Sequence, residues 1–536
     1  MSNTLTPGTL RLKLFICALA CLALAGCASY QAKTAGTVSA LQSGSPEAAL
    51  AQLERNNTSA NKDLLYYLEK GELLRMNGQL ETSRDTWLSA DQKIREWEDA
   101  VKANPSKVWG EVGAYLVNDT TRRYDGRDYE KVFVSVRLAL DHLGLGDWDS
   151  ARVEIKKMHE REAVIAEFRS KELNAVKADA QKKGLQTTSF KEINGYPVET
   201  LDAPEVAALK NAYESAFANY LAGFVYEALG EPSLASAGYN NAIAMRKDAK
   251  ILQDGLAGLD ARISKLRTGN SNSVDTLIVV ETGTAPSIES ITIPIFLPIP
   301  SSNGFINLIA TPLSWPVIRA SDNQFIPASV DVDGTSMPVA LLTSTDQMAR
   351  RALRDEMPGI IVRSSVRAIS RGIAQKAIDD KANQNNNLAA SLLSLATKVT
   401  AVVTETADTR GWRTLPGHFS VARVTLPQGS HRFTLHTAAG MQTREFELSG
   451  PYAVVDLRTS GSSLYAVQTP YKPVELAAAV VEPPQSIIPS KAPAAAVAKA
   501  TATKTATAKT AAKAEKPATN VSTPINTTTK QPAKPQ

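Results

Sequence analysis

Three textures of apolar and polar positions follow one another along the chain of 536 residues. Up to about residue 267, apolar residues recur three and four positions apart in stretches rich in Ala, Leu, Glu and Lys, the period of helices with one buried side. Beyond Asn270 the pattern changes to short runs with β-branched residues: "DTLIVVE" (Asp275 to Glu281), "ESITIPIF" (Glu289 to Phe296), "WPVIRA" and "ASVDVDGTSMPVALL", punctuated by prolines and by Asp333-Gly334. A second set starts at His418 and reads "HFSVARVTL", "SHRFTLHTA", "MQTREFEL", "PYAVVDLRT" and "SSLYAVQ", about ten residues apart, with a turn at Pro427-Gln428-Gly429. Helical spacing returns between the two sets, from 345 to 404, and after Pro483 large apolar side chains almost disappear. The pattern predicts an α+β multidomain chain. It places an α-helical repeat domain over 37–267 and an antiparallel β-sandwich-like domain over 274–470 with a helical insertion at 345–404. A disordered tail rich in Pro, Ala, Lys and Thr is expected over 471–536.

The helical part carries an internal repeat. Gly44, Gly78 and Gly146 open "GSPEAALAQL", "GQLETSRDTW" and "GDWDSARVEI", at steps of 34 and 68 residues, one and two times the tetratricopeptide period. Small residues follow in phase (Ala49, Ser83, Ala151), then large apolar ones (Leu53, Trp87, Ile155). A further copy, "NYLAGFVYEALGEPSLASAGYNNAI", is out of phase. Its Gly223, Tyr226, Gly230, Ala235, Tyr239 and Ala242 match Gly71, Leu74, Gly78, Ser83, Trp87 and Ala90. Such a pattern lets two antiparallel helices approach at a small residue, turn at a glycine and fill the next gap with an aromatic ring. The region resembles a tetratricopeptide-like solenoid whose concave face would hold a peptide or partner helix. It departs from the pattern at Val112, where a glycine is due, and at Trp109 to Asp128, which reads as helix and loop of another sort. A long charged helix near Glu160 to Lys183 precedes a loop around Pro197.

The ends decide the compartment. Arg11 and Lys13 precede an apolar run from Leu14 to Ala25, about 18 Å as a helix and too short for a hydrocarbon core of roughly 30 Å. The following order Leu24, Ala25, Gly26, Cys27 resembles a bacterial lipobox. The resemblance implies a signal peptide over 1–26, acyl chains including palmitate on Cys27, and an anchor and linker over 27–36. Ala28 and Ser29, with no aspartate at the first, resemble the sorting signal for the outer membrane. Cys17 and Cys21 leave with the signal, so a disulfide framework and a cysteine metal site are not expected. Eight lysines against Glu515 give the segment from Pro483 a charge of +7 and the signal adds two, so residues 27–482 carry −4 of a chain at +5. The basic pI of the whole chain therefore says nothing in favour of nucleic acid as a partner of the body, and the implied compartment argues against it.

"TETADTRGWRTLP" (Thr404 to Pro416), the lipobox, "YEKVFVSVRLALDHLGLGDWDSARVE" and "LPQGSHRFTL" together resemble an uncharacterised family of Gram-negative tetratricopeptide-type outer-membrane lipoproteins. The resemblance covers most of 27–470. Members are said to be encoded near lipoproteins that activate penicillin-binding proteins, which implies an envelope role and supplies no catalytic residues. Asp408, Arg410, Trp412 and Arg413 are the partner-binding candidates; the other reading makes them a buried ion pair and a tryptophan anchor. Arg363, Arg367 and Arg371 share a helix face expected to be solvated, with Ile361, Ile369 and Ile373 elsewhere on the cylinder.

Catalytic signatures are weak. His159-Glu160 begins like a zinc-protease helix, but Ala163 stands where the second histidine belongs. His431 and His436 fall on opposite faces of one strand, and His142 and His418 are isolated. A hairpin turn accounts for Asp331, Asp333 and Gly334 better than a calcium loop. No catalytic residue, metal site or cofactor is expected. The reading is a lipid-anchored scaffold on the periplasmic face of the outer membrane. Its partners would be the bilayer, through Cys27, and a periplasmic protein concerned with peptidoglycan synthesis or envelope assembly. The alternatives are an enzyme of envelope polymers and a cell-wall tether acting through the basic tail.

Overall fold

The computed structural model describes residues 30–105, 123–182, 188–269, 272–300, 306–319, 325–385, 406–468 and 470. The expected signal peptide, Cys27, Ala28, Ser29, most of the stretch after Trp109, the end of the insertion and the tail lie outside the described residues. Among those described, no helix is long and apolar enough to cross a membrane.

Among the described residues four helical hairpins come first: α1 (Tyr30–Gln42) with α2 (Pro46–Asn56), α3 (Leu64–Met76) with α4 (Leu80–Ala103), α5 (Asp128–Gly144) with α6 (Trp148–Lys182), and α7 (Ala216–Ala228) with α8 (Pro232–Met245). Two shorter helices, α9 (Lys250–Ala257) and α10 (Leu259–Thr268), follow. The hairpins turn in one way. Gly44, Gly78, Gly146 and Gly230 take φ of 82°, 72°, 74° and 71°. Their N–H groups donate to the carbonyls of Leu41, Arg75, Leu143 and Glu227, and the next residues reach back five positions, as Gln79 does to Leu74. This double bond pattern requires a left-handed residue after the helix, which glycine supplies without strain. The repeat's small residues also do their expected work. A Cβ on Gly71 would lie 2.6 Å from the Trp87 ring, and one on Gly223 would lie 2.6 Å from the Tyr239 ring.

Among the described residues the strands form three sheets. β1 (Ser273–Thr282), β6 (Ala340–Ser344), β7 (His418–Pro427), β10 (Tyr452–Ser460) and β11 (Ser463–Gln468) make a five-stranded sheet in the order β11-β10-β1-β7-β6. A four-stranded sheet has the order β5-β4-β8-β9, from β4 (Ser329–Val332), β5 (Thr335–Pro338), β8 (Gly429–Thr437) and β9 (Gly440–Leu448). The third is the two-stranded ribbon of β2 (Ile288–Pro300) and β3 (Ile306–Ile318). The antiparallel expectation fails at one pair: β1 and β10 run parallel, Asp275 opposite Tyr452 through Glu281 opposite Arg458. The chain traverses eight strands, β2 to β9, and a long helix between them, a connection long enough for the crossover that parallel neighbours require.

That helix, α11, runs Thr345–Asn385 with Pro358 inside it, and it packs on α5, α6 and the ribbon. The expected solvated arginine face is corrected here. Arg363 and Arg367 are buried, while the side chain of Arg371 lies outside the described residues. The neighbouring helix and ribbon cover that face, and Arg367 donates to Ser364 Oγ at 3.0 Å.

Alternation along the strands assigns two cores to the five-stranded sheet. Val274, Ile278, Val280, Ala422, Leu426, Ala453, Val455 and Leu457 pack with Val330, Val332, Phe433, Leu435 and Leu448 of the four-stranded sheet. Leu277, Val279, Phe419, Val421, Tyr452 and Val454 point the other way and join the helical core. Phe419 stacks between Phe133 and Phe217, with ring centroids at 4.9 and 4.8 Å, and Tyr452 meets Phe224 at 5.6 Å. The first helices of three hairpins are consequently enclosed. Every residue of α7 is buried, as is every residue of α5 from Asp128 to Asp141. The inner side of the hairpins is filled by the chain's own strands, and the change of texture near residue 270 does not interrupt the core.

Candidate functional site

The loop that carries the four candidate residues lies against α3, α4 and α5. Trp412 is fully buried, its ring 5.1 Å from that of Trp87, and its Nε1 donates to Thr414 Oγ1 at 3.1 Å. Two carboxylates hold the loop by its backbone. Glu130 accepts the N–H of Trp412 at 2.8 Å and that of Arg127 at 2.9 Å. Glu69 accepts those of Arg413 and Thr414 at 2.8 and 2.9 Å. Burial pushes both carboxyl groups above their ordinary pKa, and these N–H donors partly reverse it. Trp412 and the Arg413 backbone are therefore anchors. Asp408 and Arg410 pair with each other at 2.7 Å, and the Arg410 guanidinium lies 5.2 Å over the Tyr124 ring.

Asp408 forms part of the wall of a cleft of about 120 Å³ where α4, α5, α6, α11 and β3 meet. Trp97 and Phe168, edge to face at 5.3 Å, are its aromatic lining, and Lys131 Nζ stands 4.1 Å over the Trp97 ring. Arg169 joins three elements: it reaches Asp128 of α5 at 2.6 Å, Glu172 of α6 at 2.6 Å and Glu356 of α11 at 3.1 Å. Arg127 also pairs with Glu356. Burial alone would raise the Asp128 pKa, but Arg169 and Lys131 outweigh it and hold that carboxyl below its ordinary range. Arg123 at the rim bonds Glu96 at 3.2 Å and Asp125 at 2.9 Å. The cleft thus presents rings and paired charges of both signs, an arrangement that can exchange ion-pair partners with a charged surface.

A second polar constellation was not singled out from the sequence. Between α3, α5 and the five-stranded sheet, Arg137 binds Glu281 at both oxygens, one contact at 3.0 Å, and Glu72 at 3.1 Å. Arg75 bridges Asp141 and Asp456, and Arg458 comes within 4.0 Å of Glu72. All seven side chains are buried. At the sheet's other end Arg423 binds Asp275 at 2.7 Å and Glu227 at 2.6 Å, and Tyr452 Oη donates to Glu227 at 3.0 Å. A signal was present: "LEKGELLR" and "EKVFVSVRLALD" put charges inside stretches that have no polar face, and such charges must be buried and paired.

The histidines stand apart. His159 contacts Glu162 at 3.2 Å, and His431 lies between Asp333, at 2.6 Å, and the Pro427 carbonyl. Burial opposes the proton on His431, but those two acceptors prevail and raise its pKa. His436 is on the opposite, exposed face of β8, and Asp333-Gly334 forms the β4–β5 turn with φ of 51° and 84°. Among the described residues no group of three or more His, Cys, Asp and Glu side chains is placed to hold a metal ion. Comparison with protein-family models, with curated proteins and with solved structures returned no match.

Proposed function

We propose that this protein is a lipid-anchored scaffold on the periplasmic face of the outer membrane, held by acyl chains on Cys27, that binds a protein partner of peptidoglycan synthesis or envelope assembly. In this reading the helical hairpins are a tetratricopeptide-like array, and the β region is a sandwich-like module that closes it. The four glycine-turned hairpins, with small residues beneath Trp87 and Tyr239, support the repeat assignment.

One observation carries the location of the partner surface. The inner side of the hairpins is already occupied by Phe419, Tyr452 and their strands, so the partner is assigned to the ring- and charge-lined cleft at Arg169. Paired charges of both signs beside aromatic rings suit a protein surface of complementary pattern better than a simple ion. The test is photocrosslinking in cells that make the full chain, with the reactive side chain at Arg123 or Glu172 on the cleft and at Lys250 on α9 as a control. A discrete adduct from the cleft positions and none from Lys250 is expected. Equal adducts from all three, or none from cells rich in the protein, would overturn the assignment.

A further inference from the structure

We infer that the end of the molecule bearing Lys33, Lys62 and Lys93 is a docking surface for the phosphate headgroups of anionic lipid. This inference rests on the proposed acylation of Cys27. Only two residues separate that cysteine from Tyr30, the first residue of α1, so the two Cα atoms are at most about 11 Å apart. Whatever lies around Tyr30 must then lie close to the bilayer.

What lies there is basic, and its cations are unusual for this protein in having neutral partners. Lys33 Nζ bonds Asn57 Oδ1 at 2.9 Å, and Lys62 Nζ bonds the Asn57 carbonyl while standing 4.6 Å over the Tyr66 ring. Lys93 Nζ stands 5.8 Å over the Tyr67 ring. None of the three makes an ion pair among the described residues, whereas Arg123 and Arg410 are neutralised by Glu96, Asp125 and Asp408. Lys62 and Lys93 face one open hollow of about 520 Å³, and Asp63 on its wall also borders the crevice beside Tyr30 and Lys33. Asp63 spends one oxygen on the N–H of Tyr66 at the start of α3; of the other acids on these walls, Glu96 is paired with Arg123 and buried Glu69 holds the N–H groups of Arg413 and Thr414, which leaves the three lysines in excess. A neutral carbonyl or ring holds an ammonium in place without cancelling its charge, so each remains available to a phosphate. Each lysine at an anionic surface favours contact by about fivefold, and the three together by about a hundredfold.

The experiment uses the full chain purified in detergent from its own cells. Its intact mass is read first, and it is then placed in nanodiscs of phosphatidylethanolamine with or without phosphatidylglycerol. Amine-reactive labelling is followed residue by residue, with exposed Lys210 and Lys250 as controls. The expected result is labelling of Lys33, Lys62 and Lys93 slowed about fivefold or more by phosphatidylglycerol, with the controls unchanged. Inorganic phosphate added to the discs without phosphatidylglycerol should give no such protection. Equal labelling in both discs, or protection by phosphate alone, would overturn the lipid assignment while leaving anchorage intact. A mass showing an unmodified Cys27 would overturn the anchorage itself and the inference with it.

Discussion

The two faces of the five-stranded sheet are built on different principles. Toward the second sheet the strands present mainly aliphatic side chains, from Val274 to Leu457, and no charged one, with the Thr276 hydroxyl satisfied by the Val274 carbonyl. Toward the helices an apolar centre around Phe419 and Val454 is flanked by charge at both ends: Asp275 and Arg423 at one, Glu281, Asp456 and Arg458 at the other. Aliphatic packing is tolerant of which partner meets which, as long as volume is kept. A bidentate arginine is not, since a guanidinium placed one residue away leaves a buried carboxylate alone. The sheet–sheet face therefore supplies cohesion, and the sheet–helix face dictates which helix sits over which strand. That distinction also explains why the hairpins, which resemble an open array in sequence, are closed: the strands fill the groove with matching charges at each end.

The largest effect should come from breaking the charged face at its centre. Arg137→Ala removes the closest cation from buried Glu72 and Glu281, and we expect a loss of about 3–5 kcal/mol in urea unfolding. Replacing Glu72, Arg137 and Glu281 together by Leu, Met and Leu should restore stability to the parent level, because the desolvation of three charges goes with them. If the triple variant is as weak as Arg137→Ala, the pairs contribute cohesion and the proposed contrast between the faces is lost. On the aliphatic face, Ile278→Ala should cost about 2–4 kcal/mol by leaving a cavity between the sheets, with a pH profile of stability parallel to that of the parent. The third effect is smaller and lies within the hairpins. Gly223→Ala places a methyl against the Tyr239 ring while Gly238 abuts the same backbone, and about 1–3 kcal/mol should be lost, read as a lower urea midpoint.

Much of this is legible in the sequence. The hairpin turns followed from Gly44, Gly78, Gly146 and Gly230, because a left-handed residue after a helix is a local requirement that one residue type meets. The partnership of Gly71 with Trp87 followed from spacing, since helix geometry fixes which positions face each other. The strands likewise appear where alternation and β-branching placed them. The docking of strands on helices did not follow, because it depends on residues far apart in sequence, such as Arg137 with Glu281 and Arg423 with Glu227. The same reason hid the cleft, whose walls come from five elements, and misplaced Arg363 and Arg367 on a solvated face. Asp408, Arg410, Trp412 and Arg413 stand out as a group in the sequence, but only the fold divides them into an anchored pair, Trp412 and Arg413, and an ion pair, Asp408 with Arg410, of which Asp408 borders the cleft.

The smallest expected effect is the one that tests how the charged face balances itself. Four carboxylates (Glu72, Asp141, Glu281, Asp456) face three guanidinium groups, so one acid is in excess. Glu281 has the bidentate arginine, and burial of Glu72, only partly offset by Arg137 and Arg458, raises its pKa from 4.5 to about 7. Burial, with the Glu281 charge, likewise moves Asp456 from 3.8 to about 6. A raised carboxyl pKa means that the folded chain keeps a proton which the unfolded chain has released, so stability falls as pH climbs from about 4.5 to 7. Glu72→Gln mimics the protonated group. It should change stability by less than about 1 kcal/mol at pH 7, and it should remove part of that downward slope. Glu69 and Glu130 contribute slopes of the same sign, so the informative quantity is parent minus variant, followed by thermal unfolding from pH 4 to 8. A difference that is flat with pH would mean that Glu72 is ionised in the folded chain and that the excess proton sits elsewhere in the cluster. A variant that loses as much as Arg137→Ala would mean that the carboxylate charge itself is required to seat α3 on the sheet.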